Sequence, residues 1–70
     1  MSRNRDENLM VVAAVEGYSF VHRMSEKDTF DLFSRYNIFN LLRSQYDVLH
    51  TQSLDESVSF VNDVLSRLTK

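Results

Sequence analysis

Five side chains with usable chemistry crowd into seven positions: Tyr46, Asp47, His50, Thr51 and Gln52. The imidazole of His50 can change charge near neutral pH. On a helix that persists this far, Tyr46 and Asp47 share its face, four and three residues back. A nucleophile–base arrangement would pair Thr51 or Tyr46 with His50 and orient the ring through Asp47. A plainer chemistry uses the same residues. A histidine at a helix C-terminus donates to free carbonyls and suits the helix dipole, while Thr51 and Gln52 satisfy backbone groups at the turn. The rest of the chain supplies little for catalysis. It has no Cys, a single Gly, and two His, His22 and His50, 28 positions apart. That excludes a thiolate site, offers no glycine-rich phosphate loop, and does not make a metal site. Seventy residues also leave little room for a water-excluding pocket. The expectation is therefore not an enzyme, with no metal and no cofactor. The five residues are a candidate partner-binding patch.

The elements that must hold this patch read as helices. Proline is absent and glycine occurs once, at Gly17, whereas a β fold of many tight turns needs more of both. A first helix is predicted over about 6–22, capped by Asn4 or Asp6, behind a flexible N-terminus of residues 1–5. Leu9, Val12, Ala13, Glu16 and Phe20 share one of its faces. Met10, Ala14, Gly17 and Val21 share the next, and Val11, Val15 and Tyr18 a third. A helix apolar almost all round is buried on more than one side. Either it is central or a second copy covers part of it, and Val11, Ala14, Val15 and Tyr18 are the candidate dimer interface. Gly17 costs about 1 kcal/mol against Ala within a helix, which implies a close approach there.

Ser25 caps a second helix over about 26–36, with Phe30, Phe33 and Tyr36 facing inward. Asn37 suits the left-handed turn that ends it. A third helix spans about 38–49, with Phe39, Leu42, Tyr46 and Leu49 on one stripe. Ser53 and Glu56 form a capping box for a fourth over about 54–69. Its seam is Leu54, Val58, Val61, Leu65 and Leu68, and Arg67 and Lys70 suit its last turn. The fold expected is all-α, a small four-helix domain over 6–70. A core this small supplies only about 3–5 kcal/mol, which makes a homodimer the expected state.

Charge narrows the partners. Ten acidic and eight basic residues give a net charge of −2. That balance draws neither nucleic acid nor anionic lipid. The short Tyr36–Asn37 joint between helices two and three invites a small helix-turn-helix DNA-binding regulator as the alternative, with Asn40, Arg43, Ser44, Gln45 and nearby Arg35 as its polar surface. The apolar run 9–15 is far short of the roughly 20 residues that span a bilayer. Asp6 and Glu7 before it also disfavour a signal peptide. No Cys fits a reducing compartment, so a cytoplasmic location without membrane attachment is expected.

The heptapeptide Tyr46-Asp47-Val48-Leu49-His50-Thr51-Gln52 resembles a family of short bacterial and phage helical proteins of unknown function that carry a Tyr-[Asp/Glu]-x-Leu-His-Thr motif. The resemblance covers roughly residues 9–68. It takes in the apolar first helix, the Ser25 start with Phe30, Leu32, Phe33 and Tyr36, and Val58, Val61 and Asp63 downstream. Ser53 and Asn37 stand where family members often carry Gly. Such proteins are often encoded beside ADP-ribosyltransferase-like proteins. The resemblance implies a non-enzymatic interaction or regulatory module, antitoxin-like, with an ADP-ribosyltransferase-like protein as its partner.

Overall fold

The computed structural model describes residues 3–69, with side chains from Arg5 onward. Its elements are all helices: α1 (Arg3–His22), α2 (Glu26–Arg35), α3 (Ile38–Ser44), α4 (Tyr46–Leu49) and α5 (Leu54–Leu68). The all-α expectation holds. Where a single third helix was expected there are two, so four of the five helices are seven residues or longer. Met1, Ser2 and Lys70 lie outside the described residues, and so does the Asn4 side chain. The first helix starts at Arg3, which puts Asn4 and Asp6 inside it rather than at its cap.

Local punctuation follows the side chains. Ser25 Oγ accepts the Asp28 amide at 3.0 Å and opens α2. Asn37 takes φ 59° and ψ 32°, the left-handed conformation that stops α2 and redirects the chain into α3. Its Oδ1 accepts from the Asn40 amide nitrogen at 2.8 Å. Ser53 Oγ accepts the Glu56 amide at 3.3 Å and opens α5. The return bond of a full capping box, from the Ser53 amide to the Glu56 carboxylate, is not made among the described residues.

The break between α3 and α4 has a backbone cause. The Gln45 amide is shared between the Leu41 and Leu42 carbonyls, at 3.1 and 3.2 Å. Ser44 Oγ also donates back to the Leu41 carbonyl at 2.8 Å. The last turn of α3 thereby tightens, and a side chain competes for its acceptor. Gln45 sits at ψ 13°, and α4 restarts on a new course for one turn. Buried Leu49 anchors that turn to the core.

The long helix α1 is central, packed on α5, α2 and α3. Its inward residues Val11, Ala14, Val15 and Tyr18 meet Phe33, Ile38, Leu42, Leu49, Val58, Val61 and Leu65. At Gly17, α1 lies close against α5. A Cβ there would lie 2.8 Å from Val58 Cγ2, so the packing reason expected for this glycine is met within the chain. Beside the apolar core, Ser19 Oγ lies 2.7 Å from both the Val15 carbonyl and Thr29 Oγ1. Thr29 Oγ1 lies 3.0 Å from the Ser25 carbonyl. This buried hydroxyl pair ties α1 to the start of α2, and no side-chain polar atom is left unsatisfied in the interior of the described residues.

Several expected faces need correction. Val11, Ala14, Val15 and Tyr18, read as a dimer interface, are buried by the chain's own helices. The tertiary fold places them toward α2, α3 and α5 and leaves the opposite face outward, where Leu9, Val12 and Phe20 are exposed. A second copy on α1 would have to meet that outward stripe. Leu54 and Leu68, the two ends of the α5 seam, are about half exposed, although Leu54 also lies beside Gly17 of α1. Phe30, expected inside with Phe33, is exposed and rests on Phe39, with ring centroids 4.8 Å apart.

Candidate functional site

His50 ends α4, and both of its nitrogen donors near the backbone go to one acceptor. Its amide reaches the Tyr46 carbonyl at 2.9 Å and its ring Nδ1 reaches the same oxygen at 2.7 Å. A carbonyl only accepts, so Nδ1 carries a proton and Nε2 is the acceptor of the neutral ring. The Tyr46 ring stacks on the imidazole, with centroids 4.7 Å apart and planes at 12°. Thr51 Oγ1 donates to the Val48 carbonyl at 2.8 Å. The Gln52 amide donates to the Leu49 carbonyl at 3.0 Å. These bonds satisfy the free carbonyls at the end of α4, as the plainer reading of this stretch required.

The same geometry turns part of the patch toward α1. Tyr46, His50 and Gln52 line an open cleft of about 350 Å³, with Leu49 behind them. The N-terminal half of α1 supplies the opposite wall through Asp6, Leu9, Met10 and Ala13. The start of α5 closes the end with Leu54 and Ser57. Three of the five candidate residues are thus brought together. Asp47 and Thr51 do not line the cleft; Thr51 lies past the end of α4, its hydroxyl turned back to the Val48 carbonyl. The α1 wall is more than thirty positions away in sequence and carries no local motif. Its only signal was a helix with more apolar surface than one core can cover.

The cleft is apolar in its walls and polar at its α4 rim. Leu9 and Leu54, at 59% and 47% exposure, are apolar side chains offered to solvent at its mouth. No group of three or more His, Cys, Asp or Glu side chains with metal-holding geometry occurs among the described residues. None of their helices is long and apolar enough to cross a membrane.

The polar surface weighed for DNA is differently placed. Arg43 donates to Asn8 Oδ1 at 2.9 Å and ties α3 to α1. Ile38 and Leu42 are fully buried, so the seven-residue α3 presents Asn40 and Ser44 outward. Tyr18, deep beside α2, stacks on His22 with centroids 4.1 Å apart and meets Phe33 edge-on at 5.4 Å. Burial pushes its phenol above the ordinary value of 10.0.

Fold and cleft together define a small all-helical protein built around a central first helix. The family model for proteins of unknown function designated DUF3791 matches residues 9–67, and the chain belongs to that family. The match covers nearly the stretch expected from the resemblance, and every residue lining the cleft except Asp6. The chain matches no curated protein and no solved structure.

Proposed function

We propose that this chain is a non-enzymatic protein-interaction module that takes a protein partner in the cleft between α1, α4 and α5. One observation carries the reading. The polar groups of Tyr46, His50 and Gln52 stand beside the exposed Leu9 and Leu54 in one concavity. An apolar cleft with a polar rim is how protein surfaces recognise partners, with apolar burial supplying affinity and the rim supplying orientation. His50 contributes a preorganised imidazole, since its Nδ1 is already engaged and its Nε2 edge is left for a partner. Gln52 offers a side-chain amide at the same rim. Asp47 and Thr51 support the joint from outside it. In the role implied by the family resemblance, the chain is a regulatory, antitoxin-like companion of an ADP-ribosyltransferase-like protein, which makes that class the first partner to seek.

The test is capture from a lysate of the native host by the immobilised chain, beside His50→Ala and Gln52→Ala. Both side chains are exposed. Their loss should leave the melting temperature within a few degrees, as surface substitutions cost about 0.5 kcal/mol or less, while capture of the partner falls at least tenfold. If both variants melt lower and still capture the partner, the joint is structural and the proposal fails.

A further inference from the structure

We infer that a second copy of this chain docks on the outward face of α1, with the two first helices antiparallel and related by a twofold axis midway between Leu9 and Val12. This does not depend on what fills the cleft. Arg5, Leu9, Val12 and Glu16 are all exposed. They follow one another at 4-3-4 spacing, the repeat of a helix–helix seam. On the helix they stand opposite the buried Val11, Ala14, Val15 and Tyr18. Phe20, at 85% exposure, continues the stripe one turn further.

The charges select the occupant. Arg5 and Glu16 have only uncharged residues three and four positions to either side, so neither pairs along its own helix. Glu16 lies between Val12 and Phe20 on the stripe. A wholly apolar cover, a lipid surface included, would bury its carboxylate without a partner, at high cost. A second copy supplies the partner. In the antiparallel pair, Leu9 of each copy meets Val12 of the other, and Arg5 of each meets Glu16 of the other. The step from Leu9 back to Arg5 equals the step from Val12 on to Glu16. Both contacts therefore form in one register, each of them twice, as a self-complementary interface requires. A parallel pair in register sets Arg5 on Arg5 and Glu16 on Glu16, and like charges oppose it. Phe20 ends the seam, where the Arg5 guanidinium of the second copy can reach across its ring. About 16 of the 20 residues of α1 overlap, roughly 24 Å of helix. So short a seam falls below the standard interface of about 1,600 Å², which makes the dimer reversible rather than obligate. Leu9 also stands at the mouth of the cleft. The second copy brings its Val12 to that rim and leaves Met10, Ala13 and Leu54 to receive the cleft's occupant.

The experiment is sedimentation equilibrium of the full chain from about 10 µM to about 1 mM. The average mass should rise with concentration from the 8.2 kDa of one chain toward twice that value. Glu16→Arg and Arg5→Glu each set like charges at both ends of the seam, and each should weaken self-association at least tenfold. Mixing the two variants sets Glu on Arg at every charged contact and should restore association. So should the double variant that carries both changes. Val12→Ser removes the central apolar contact at a position that does not line the cleft. It should give a monomer that still captures the cleft's partner. All three positions are exposed, and circular dichroism verifies the fold of each variant. A mass fixed at that of one chain at every concentration overturns the inference. Association unchanged by Glu16→Arg does so too, as does a double variant that stays monomeric. A monomeric chain whose capture of a lysate protein is lost in Val12→Ser but kept in His50→Ala would also overturn it and give the stripe to a different protein.

Discussion

Tyr18 shows what burial does to one side chain. Its ring is packed between His22 and Phe33, and desolvation raises its phenol above 10.0. The folded chain therefore holds the phenolic proton more tightly than the unfolded one. That contribution to stability is fully present below the unfolded value and is lost as pH rises past it through the folded value. Tyr18→Phe removes the ionisation and keeps the ring. Between about pH 9 and about pH 11 the melting temperature of the parent chain should fall more steeply than that of Tyr18→Phe. Parallel curves measured by circular dichroism would show that the buried phenol is not the titrating group. Asn37 makes a related point about backbone. Its left-handed φ of 59° is the conformation that glycine adopts most easily. Ser53, with φ −70°, needs no such freedom.

Between elements, the decisive contact is α1 on α5 at Gly17. Two effects oppose each other in Gly17→Ala. Helix propensity favours Ala by about 1 kcal/mol. Against it, the new Cβ would meet Val58 Cγ2 at 2.8 Å. Val58 is buried and β-branched, so its methyl cannot swing aside as a long flexible chain would. Overpacking of this kind costs about 1–3 kcal/mol, and the clash wins. Gly17→Ala should lose about 1 kcal/mol net in urea denaturation; a gain in stability would mean that α1 and α5 separate at little cost. The break at Gln45 belongs here too. A continuous helix over 38–49 would place Phe39, Leu42, Tyr46 and Leu49 on one stripe. The tightened turn instead keeps Leu42 and Leu49 buried and leaves Phe39 and Tyr46 half-buried. Tyr46 is then available to stack on His50 at the cleft.

For the molecule as a whole, a small core makes position more important than residue type. Leu42 and Leu68 are chemically identical, yet Leu42 is fully buried and Leu68 is 52% exposed. Leu42→Ala should cost about 2–5 kcal/mol, comparable with the roughly 3–5 kcal/mol that a core this small supplies. Most of the chain should then be unfolded at room temperature by far-UV circular dichroism. Leu68→Ala should stay within about 0.5 kcal/mol of the parent chain. Equal losses would mean that the end of α5 is covered.

Much of this was legible in the chain itself. Helix as the only element, the starts at Ser25 and Ser53, the left-handed stop at Asn37, the need for close approach at Gly17 and the backbone bonding of His50 and Thr51 all follow from one residue and its neighbours within four positions. Hydrogen bonds and steric limits at that range hold whatever surrounds them. The tertiary structure decided the rest. It chose which face of α1 goes inside, sending Val11, Ala14, Val15 and Tyr18 inward and Phe20 outward. It buried Ser19 and Thr29 against each other and set Leu9 and Asp6 opposite His50. A helix apolar almost all round names no preferred face, so packing against α2, α3 and α5 had to select one. A cleft whose walls are more than thirty positions apart exists only once that selection is made.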